Sequence, residues 1–296
     1  MKSGFVALVG RPNVGKSTLL NRLLGQKVAI MSDRPQTTRS VIRGVLHRPD
    51  GQAVFLDTPG LHKPRTLLGR RLNDLVRGTL GEVDVVCFLV DAAAGVGTGD
   101  QFLAEEVARV RTPVIAVVNK TDTAGRGQVV QALDATGRLG DWAEVVPVSA
   151  RSGEQVDLLA DLIMERLPEG PPLYPQGHVS DEPEERVVAE VIREKALALV
   201  RDELPHSIAV VVEETESGGG DEPGEGLLTI RAVLYVERAS QKPIVIGRRG
   251  AVLREIGSRA RAELEALLGT RIYLDLRVKV AKEWQEDPKL LARLGF

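Results

Sequence analysis

The octapeptide GRPNVGKS at residues 10–17 constrains the fold of this chain more than any other feature. An apolar run at residues 5–9 precedes it, and leucines at helical spacing follow it over residues 19–24. A buried strand, a glycine-bounded loop and a helix N-terminus together form a P-loop, whose backbone N–H groups bind phosphate. The sequence therefore predicts an α/β fold that begins with a mostly parallel, doubly wound sheet, with nucleotide at the C-terminal ends of its strands.

The residue types inside the loop predict how phosphate is bound. Lys16 is expected to reach the β- and γ-phosphates, and the hydroxyl of Ser17 to ligate Mg²⁺. Gly15 lets the backbone approach the anion, because a Cβ atom there would collide with it. Asn13 is either a ligand of a monovalent cation such as K⁺ or a residue that stabilises the loop. The predicted phosphate-binding residues are Gly10, Asn13, Val14, Gly15, Lys16, Ser17, Thr18 and, from a later motif, Gly60.

Two further motifs, NKTD and SA, each follow an apolar run and together predict a guanine site. Asp122, expected to be buried, can accept hydrogen bonds from guanine N1–H and the N2 amino group. Adenine lacks this pair of donors, so the mismatch is worth roughly 10⁴-fold in discrimination. The stem of Lys120 is expected to pack along the base. The Ala150 N–H is expected to reach guanine O6, with Ser149 shaping the turn, and Asn119 completes the predicted site.

The motif DTPG follows a second apolar run and predicts the metal and γ-phosphate contacts. Asp57 is expected to hold Mg²⁺ through its hydration shell, and the N–H of Gly60 to bind the γ-phosphate. One threonine of the segment PQTTR should close over this phosphate and ligate Mg²⁺; Thr38 is favoured and Thr37 is the alternative. Leu61 stands where many GTPases carry a glutamine that orients water, so we expect slow hydrolysis.

The chain changes character after residue 166. Helices are expected over residues 16–24, 99–110, 126–137 and 155–166, and the residues that follow are rich in Pro, Gly and acidic side chains. We predict a GTPase domain over 1–168, a linker over 169–184 and a second, α+β domain over 185–296. In that domain we expect a helix over 185–203, strands over 207–213, 227–237 and 271–280, a mobile hairpin loop over 214–226, and a helix through residues 252–268.

The tetrapeptide GRRG at residues 247–250 joins two helices in the order α-β-β-α-α-β, which is typical of a type II KH domain. Such domains bind about four single-stranded nucleotides in a cleft. Seven basic residues and one acid lie between residues 238 and 261, a local charge of 7 − 1 = +6 on a chain of net charge −2. The alternative is a solvated helix face. The predicted RNA-binding residues are Lys242, Ile246, Gly247, Arg248, Arg249, Gly250 and Arg254.

Over nearly its whole length the chain resembles the Era family of bacterial GTPases, in the TRAFAC class. The resemblance rests on the motifs above, on LPEGPPLYP at 167–175, VAEVIREKAL at 188–197 and the tail at 284–295. It implies a monomer that binds GTP or GDP with Mg²⁺ and binds 16S rRNA near its 3′ end. It also implies a role in assembly of the 30S subunit, and a cytoplasmic location with peripheral contact at the inner membrane.

Two other classes of function are alternatives to this one. A GTP-dependent sensor whose KH-like domain binds a protein is disfavoured by the basic patch, and a metabolic kinase is disfavoured by NKTD. Composition fits a reducing cytoplasm, because the single Cys87 lies in an apolar run and excludes an intrachain disulfide. No apolar run has the length of a membrane span, the N-terminus predicts no signal peptide, and the four histidines are scattered.

Overall fold

The structure is a computed structural model that describes residues 1–32, 38–60, 66–200, 204–218 and 226–296. It divides into two compact units: unit 1 comprises Met1–Arg65 and Gly69–Asp181, and unit 2 comprises Thr66–Leu68 and Glu182–Phe296. Two of the predicted switch residues, Thr37 and Leu61, lie outside the described residues.

Unit 1 is built on a six-stranded sheet with the strand order β2-β3-β1-β4-β5-β6. All neighbouring strands are parallel except β2 and β3, which are antiparallel. Its elements are β1 (Lys2–Gly10), α1 (Lys16–Leu24), β2 (Ile42–Arg48), β3 (Gly51–Asp57), α2 (Leu67–Leu80), β4 (Val85–Asp91), α3 (Thr98–Val107), β5 (Val114–Asn119), α4 (Arg126–Gly137), β6 (Glu144–Pro147) and α5 (Val156–Arg166).

Helices cover both faces of this sheet, which is why its central strands are continuous apolar runs. Residues of α1 and α5 pack with one face of β1, β3 and β4 in one buried cluster. Residues of α2 and α3 pack with the opposite face in a second cluster. Both layers leave the C-terminal ends of the parallel strands open, and the P-loop leaves the sheet there. The predicted α/β architecture is therefore confirmed.

The predicted helices over 16–24 and 126–137 have those bounds, whereas α3 runs over Thr98–Val107 and α5 over Val156–Arg166. Strand β2 and helix α2 were not predicted. The helix contains LGRRLNDLVRG, whose mixed charge and two glycines hide its apolar stripe. The stripe is nevertheless buried, since Leu72, Val76 and Leu80 lie in the core.

Residues 168–181, most of the predicted linker, are bound along one edge of unit 1; we call this segment the strap. The Val45 N–H of β2 donates to the Val179 carbonyl at 2.8 Å, and the Ser180 hydroxyl donates to the Arg43 carbonyl at 2.9 Å. Gln52, buried in β3, accepts from the Tyr174 N–H at 3.1 Å and donates to the Tyr174 carbonyl at 2.7 Å. Composition rich in Pro and Gly thus marks the absence of regular structure here, not the absence of order.

Unit 2 contains a three-stranded sheet of order β7-β8-β9, in which β7 and β8 are antiparallel and β8 and β9 parallel. Two long helices, α6 and α9, pack on one face of it. Its elements are α6 (Glu184–Leu199), α7 (Leu204–Ser207), β7 (Ala209–Gly218), β8 (Leu227–Val236), α8 (Lys242–Ile246), α9 (Ala251–Leu268), β9 (Arg271–Val280) and α10 (Pro288–Arg293). The order of these elements confirms the KH-type fold.

Two predictions about unit 2 are wrong in their bounds. Residues 214–218 belong to β7 and not to a hairpin loop; residues 219–225 lie outside the described part. Charged side chains are tolerated there because β7 is an edge strand, and Glu214 pairs with Arg231 of β8. The first helix stops at Leu199 rather than at 203, since Val200 adopts an extended conformation (ψ 156°). No helix among the described residues is both long and apolar enough to cross a membrane.

Candidate functional site: a nucleotide cleft and the GRRG surface

The P-loop leaves β1 at Gly10 and enters α1 at Lys16, as predicted. Asn13 and Gly15 adopt positive φ angles of 66° and 97°, which curl the loop back on itself. The ammonium group of Lys16 lies inside the curl and donates to the carbonyls of Gly10 and Arg11, both at 3.1 Å. Pro12, Asn13, Gly15, Lys16, Ser17 and Thr18 line one cleft together with Thr38, Gly60 and Lys120.

Close approach of backbone segments explains two glycines of the site. A Cβ atom on Gly15 would overlap the side-chain amide of Asn119, so this glycine leaves room for the NKTD motif as well as for an anion. A Cβ atom on Gly60 would lie 2.7 Å from the backbone nitrogen of Pro12. The DTPG turn therefore lies directly against the P-loop, and only glycine fits between them.

Three oxygen-bearing side chains of the predicted metal site converge. Ser17 Oγ donates to Asp57 Oδ2 at 2.6 Å and lies 3.1 Å from Thr38 Oγ1. Thr38 Oγ1 lies 3.3 Å from the same carboxylate oxygen. In the part of the chain that the structure describes, Asp57 Oδ1 is buried without a hydrogen-bond partner. Mg²⁺ prefers hard oxygen ligands. The two hydroxyls and the Asp57 carboxylate, one oxygen of which has no partner among the described residues, fit that preference.

Burial perturbs both charged groups of the cleft. Burial lowers the pKa of Lys16 to about 8, and attraction to Asp57 only partly offsets this. Burial likewise raises the pKa of the Asp57 carboxyl, against the opposing effects of Lys16 and the hydrogen bonds from Ser17 and Thr38. Burial thus disfavours the charged form of both groups. A bound phosphate would favour charged Lys16, and a bound divalent cation would favour charged Asp57.

Asn119 connects the two halves of the predicted nucleotide site. Its side-chain nitrogen donates to the Val14 carbonyl of the P-loop at 2.8 Å, and its oxygen accepts from the Ala150 N–H at 3.0 Å. The Ala150 N–H, predicted to meet guanine O6, is thus donated to Asn119 in this structure. Asn119 is 1% exposed, and its two hydrogen bonds hold the P-loop and the SA turn together.

The structure places Asp122 at the surface, so the prediction that it is buried is wrong: it lies in a short 3₁₀ turn after β5, beyond the core. Its carboxylate accepts from the Ser149 hydroxyl at 2.7 Å, which fixes its orientation. Lys120 has a φ of 65° and its ammonium group pairs with Asp91 at 2.7 Å. Desolvation of Asp91 acts to raise the pKa of its carboxyl group. Hydrogen bonds from Lys120, Ala93 and Ala94 outweigh it and leave that pKa below its usual range.

Two arginines of the site were missed by the sequence analysis. Arg22 of α1 donates to the carbonyls of Ala150 and Arg151, and so anchors the SA turn. Arg11, inside the P-loop motif, pairs with Asp100 of α3 at 2.8 Å. Both partners lie far away in sequence, and no local pattern marks them.

In unit 2 the GRRG turn has the geometry that its glycines suggest. Gly247, Arg249 and Gly250 have positive φ angles of 73°, 53° and 77°. A Cβ atom on Gly247 would lie 2.8 Å from the backbone nitrogen of Val252, whereas one on Gly250 would meet nothing within 4 Å. Gly247 is thus required by packing. Gly250 faces open space, where a nucleic-acid backbone can approach.

The predicted RNA-binding residues surround this turn, and three of them are exposed. Arg248, Arg249 and Arg254 are exposed, and Lys242 and Ile246 are half-buried on α8. Beside the turn, a cleft runs between α9 and β9. It is lined by residues that the sequence analysis did not assign to the site: Leu253, Gly257, Ser258, Arg261, Tyr273, Leu274, Asp275 and Leu276, together with Gly250 and Arg254.

Other apolar residues near the turn divide between core and surface. Ile256 is fully buried in the core of unit 2, whereas Ile244 is 54% exposed. Tyr273 is 59% exposed at the edge of the cleft, where its ring can stack on a base.

A phosphate loop with a base-binding motif in one unit and a GxxG turn in the other define the chain as a P-loop GTPase with a KH domain. Family models agree: the 50S ribosome-binding GTPase family matches residues 5–120, and the KH domain family matches residues 203–285. GTPase Era of Nocardioides sp. is 58% identical over 301 residues, covering 100% of this chain and 96% of that protein. GTPase Era of Streptomyces coelicolor is 57% identical over 304 residues, covering 100% and 95%. The chain belongs to the Era family, and it is a GTPase.

Two solved structures match both units. Era in complex with MgGDPNP and nucleotides 1506–1542 of 16S ribosomal RNA is 42% identical with a TM-score of 0.95, covering 100% of this chain and 99% of that one. A variant of Aquifex aeolicus Era bound to GDP and AlF₄⁻ is 41% identical with a TM-score of 0.94 and the same coverage.

Proposed function

We propose that this chain is a GTP-controlled RNA-binding switch that binds 16S rRNA near its 3′ end and acts in assembly of the 30S subunit. The similar Era structure with a 16S fragment supports the RNA and its region. In this chain the supporting observation is the GRRG turn: Gly250 opens on free space, exposed arginines flank it, and a cleft of mixed polarity lies beside it. Such a turn lets an RNA backbone pass while bases enter the cleft.

In the proposed nucleotide site, Lys16 and the P-loop N–H groups bind the phosphates. Asp122 binds the guanine edge and is oriented by Ser149. Ser17, Thr38 and Asp57 are the residues that would hold Mg²⁺, and that ion would neutralise phosphate charge. With these assignments, loss of the γ-phosphate changes the contacts of Thr38 and Gly60. A nucleotide shifts the equilibrium between two conformations only by its difference in affinity for them.

The slow hydrolysis that Leu61 predicts is part of the same proposal. A monovalent cation bound beside Asn13 is one candidate for neutralising the charge that develops on the phosphates during hydrolysis. The alternative is that Asn13 only stabilises the loop, which its φ of 66° supports equally well. Comparing turnover in KCl and NaCl at equal ionic strength separates them: faster turnover in K⁺ supports the cation site, and equal turnover supports the structural role.

The experiment that tests the function is RNA crosslinking in cells followed by mapping of the bound sequence. The informative variant is Gly250→Asp, because a Cβ atom there meets no neighbour within 4 Å and the carboxylate would lie against the incoming phosphates; the strain of its positive φ is shared by the control below. A Gly247→Asp change would disturb Val252 and confuse binding with folding. A matched control is Gly269→Asp, also at positive φ with open space around it, but at the far end of α9.

A crosslink peak near the 3′ end of 16S rRNA, lost in Gly250→Asp and kept in Gly269→Asp, is the expected result. Diffuse crosslinks in the wild type would favour the second candidate, a GTP-dependent sensor whose KH unit binds a protein. A peak on 23S rRNA would instead place the chain on the large subunit, the one named in the family model that matches residues 5–120.

We further propose that the chain works as a cytoplasmic monomer that contacts the inner membrane only peripherally. Light scattering of the purified chain and flotation with anionic vesicles test these two points. A dimer, or the absence of any vesicle-bound fraction, would contradict them.

A further inference from the structure

One buried carboxylate holds both the P-loop and the start of α3. Asp100 is 0% exposed, and its Oδ1 accepts from Arg11 Nε at 2.8 Å. Its Oδ2 accepts from the Gly97 N–H at 2.8 Å and caps the helix. Arg11 Nη2 also donates to the Gly95 carbonyl at 3.2 Å. The guanidinium of Arg11 is therefore bonded both to the first turn of α3, at Asp100, and to the segment before it, at Gly95.

Packing restricts the same side chain. A Cβ atom on Gly99 would lie 2.7 Å from Arg11 Cδ and 3.3 Å from Cγ, so the stem of Arg11 fills the space that this glycine leaves. A Cβ atom on Gly97 would lie 3.6 Å from Arg11 Nη1, an ordinary van der Waals contact, so Gly99 alone provides the close approach. With its stem packed against Gly99 and its head bonded in two directions, the Arg11 side chain is restrained, although 29% of it is exposed.

The main chain of Arg11 carries this restraint into the nucleotide site. Its carbonyl accepts from Lys16 Nζ at 3.1 Å, and the adjacent Gly10 carbonyl does so at the same distance. We infer that Arg11 and Asp100 are positioning residues for Lys16: the ion pair fixes the peptide whose carbonyl aims the lysine at the phosphates. Asp100 thereby contributes to nucleotide affinity from the start of α3, without touching the ligand.

The inference rests on the proposed role of Lys16 in phosphate binding. In the full chain, Arg11→Ala should weaken GDP binding and lower kcat for GTP by about tenfold each, which corresponds to 1.4 kcal/mol. Arg11→Lys should recover part of the loss, because an ammonium group can keep a bond to Asp100. Arg138→Ala is the matched control: it removes a solvent-exposed ion pair with Asp134 on α4 and should change neither quantity.

A double-mutant cycle separates positioning from a general structural role. Kd for GDP is measured for Lys16→Ala, for Arg11→Ala and for the double variant. If Arg11 acts through Lys16, its removal costs little once Lys16 is absent; two independent effects would add. Should Arg11→Ala fail to fold, Asp100→Asn takes its place in the cycle, since the amide oxygen can still cap α3 while the charge is lost.

The outcomes are distinguishable. A non-additive cycle with rescue by lysine supports the inference. Unchanged GDP affinity in Lys16→Ala refutes the proposed phosphate site and the inference together. A loss in Lys16→Ala combined with additive losses, or with no loss in Arg11→Ala, leaves the phosphate site standing and overturns the positioning role.

Discussion

The two glycines of the GRRG turn should differ sharply in what a single methyl group costs. At Gly250 (φ 77°, ψ 16°) a Cβ atom meets nothing within 4 Å. The only cost of alanine there is that of holding a residue with a Cβ atom in the left-handed backbone conformation. That penalty is roughly 1–2 kcal/mol. Part of it is offset because alanine restricts the unfolded chain. We expect Gly250→Ala to lower the free energy of unfolding of unit 2 by about 1 kcal/mol.

At Gly247 (φ 73°, ψ 173°) the backbone lies in a region that is essentially restricted to glycine, at a cost of about 1–3 kcal/mol. The added Cβ would also lie 2.8 Å from the backbone nitrogen of Val252, which lies in the first turn of α9 and cannot move aside cheaply. The two effects together predict a loss of about 3 kcal/mol or more for Gly247→Ala.

Urea unfolding measured by fluorescence provides the assay. The chain has two tryptophans: Trp142 in unit 1, and Trp284, fully buried in unit 2 with its ring N–H donated to the Ser207 carbonyl at 3.1 Å. In a Trp142→Phe background the signal reports on unit 2 alone. Equal losses at the two glycines, or a loss below about 1 kcal/mol for Gly247→Ala, would refute this steric argument.

Three further perturbations test the nucleotide site and the strap. Asp122→Asn should shift preference from guanine to xanthine nucleotides, because the amide N–H₂ can donate to the 2-oxo group that xanthine carries in place of the N2 amino group of guanine; competition between GDP and XDP measures it, and unchanged preference contradicts the base contact. Affinity for GDP without Mg²⁺ should fall as pH rises past about 8. The charged form of Lys16 attracts phosphate, its pKa is lowered to about 8 by burial, and binding therefore takes up a proton above that pH. Calorimetry measures GDP affinity as a function of pH, and the control Lys16→Arg should show a flatter dependence than the wild type. Identical slopes in the two proteins would exclude Lys16 as the source of the pH dependence. Gln52→Ala should speed amide hydrogen exchange at Leu173 and Tyr174, which lose their acceptor, whereas Gln52→Glu keeps an acceptor; mass spectrometry that finds no change in the alanine variant would contradict the role of Gln52.

Local patterns were enough to predict the P-loop and its surroundings. A strand, a loop and a helix that are contiguous in sequence place Lys16 and Ser17 without reference to the rest of the chain. Periodicity likewise predicted α9 and β9 within a residue, since their apolar positions face one core. The meeting of Ser17 and Asp57, two of the three predicted metal ligands, needed only one long-range step, and parallel strands supply it because their C-terminal ends meet.

What the sequence did not predict depends on contacts between distant residues. Arg11 and Asp100 are 89 positions apart, and the stem of Arg11 fits only because Gly99 carries no Cβ atom. Glu214 suggested a loop by its charge, yet cross-strand pairing with Arg231 makes it suitable for an edge strand. Asp122 is exposed because the 3₁₀ turn after β5 carries it beyond the core. The motif NKTD does not specify the path of that turn.

The strap determines where unit 1 can be cut. Without residues 169–181, the Val45 N–H of β2 would face solvent, and the amide of Gln52, now 3% exposed, would lose its partners. A strand with such unpaired groups is a template for pairing with another chain. A fragment that stops at residue 168 should therefore self-associate, whereas one that continues to Asp181 should stay dispersed. Because it pairs this edge, the strap should limit self-association of the GTPase unit.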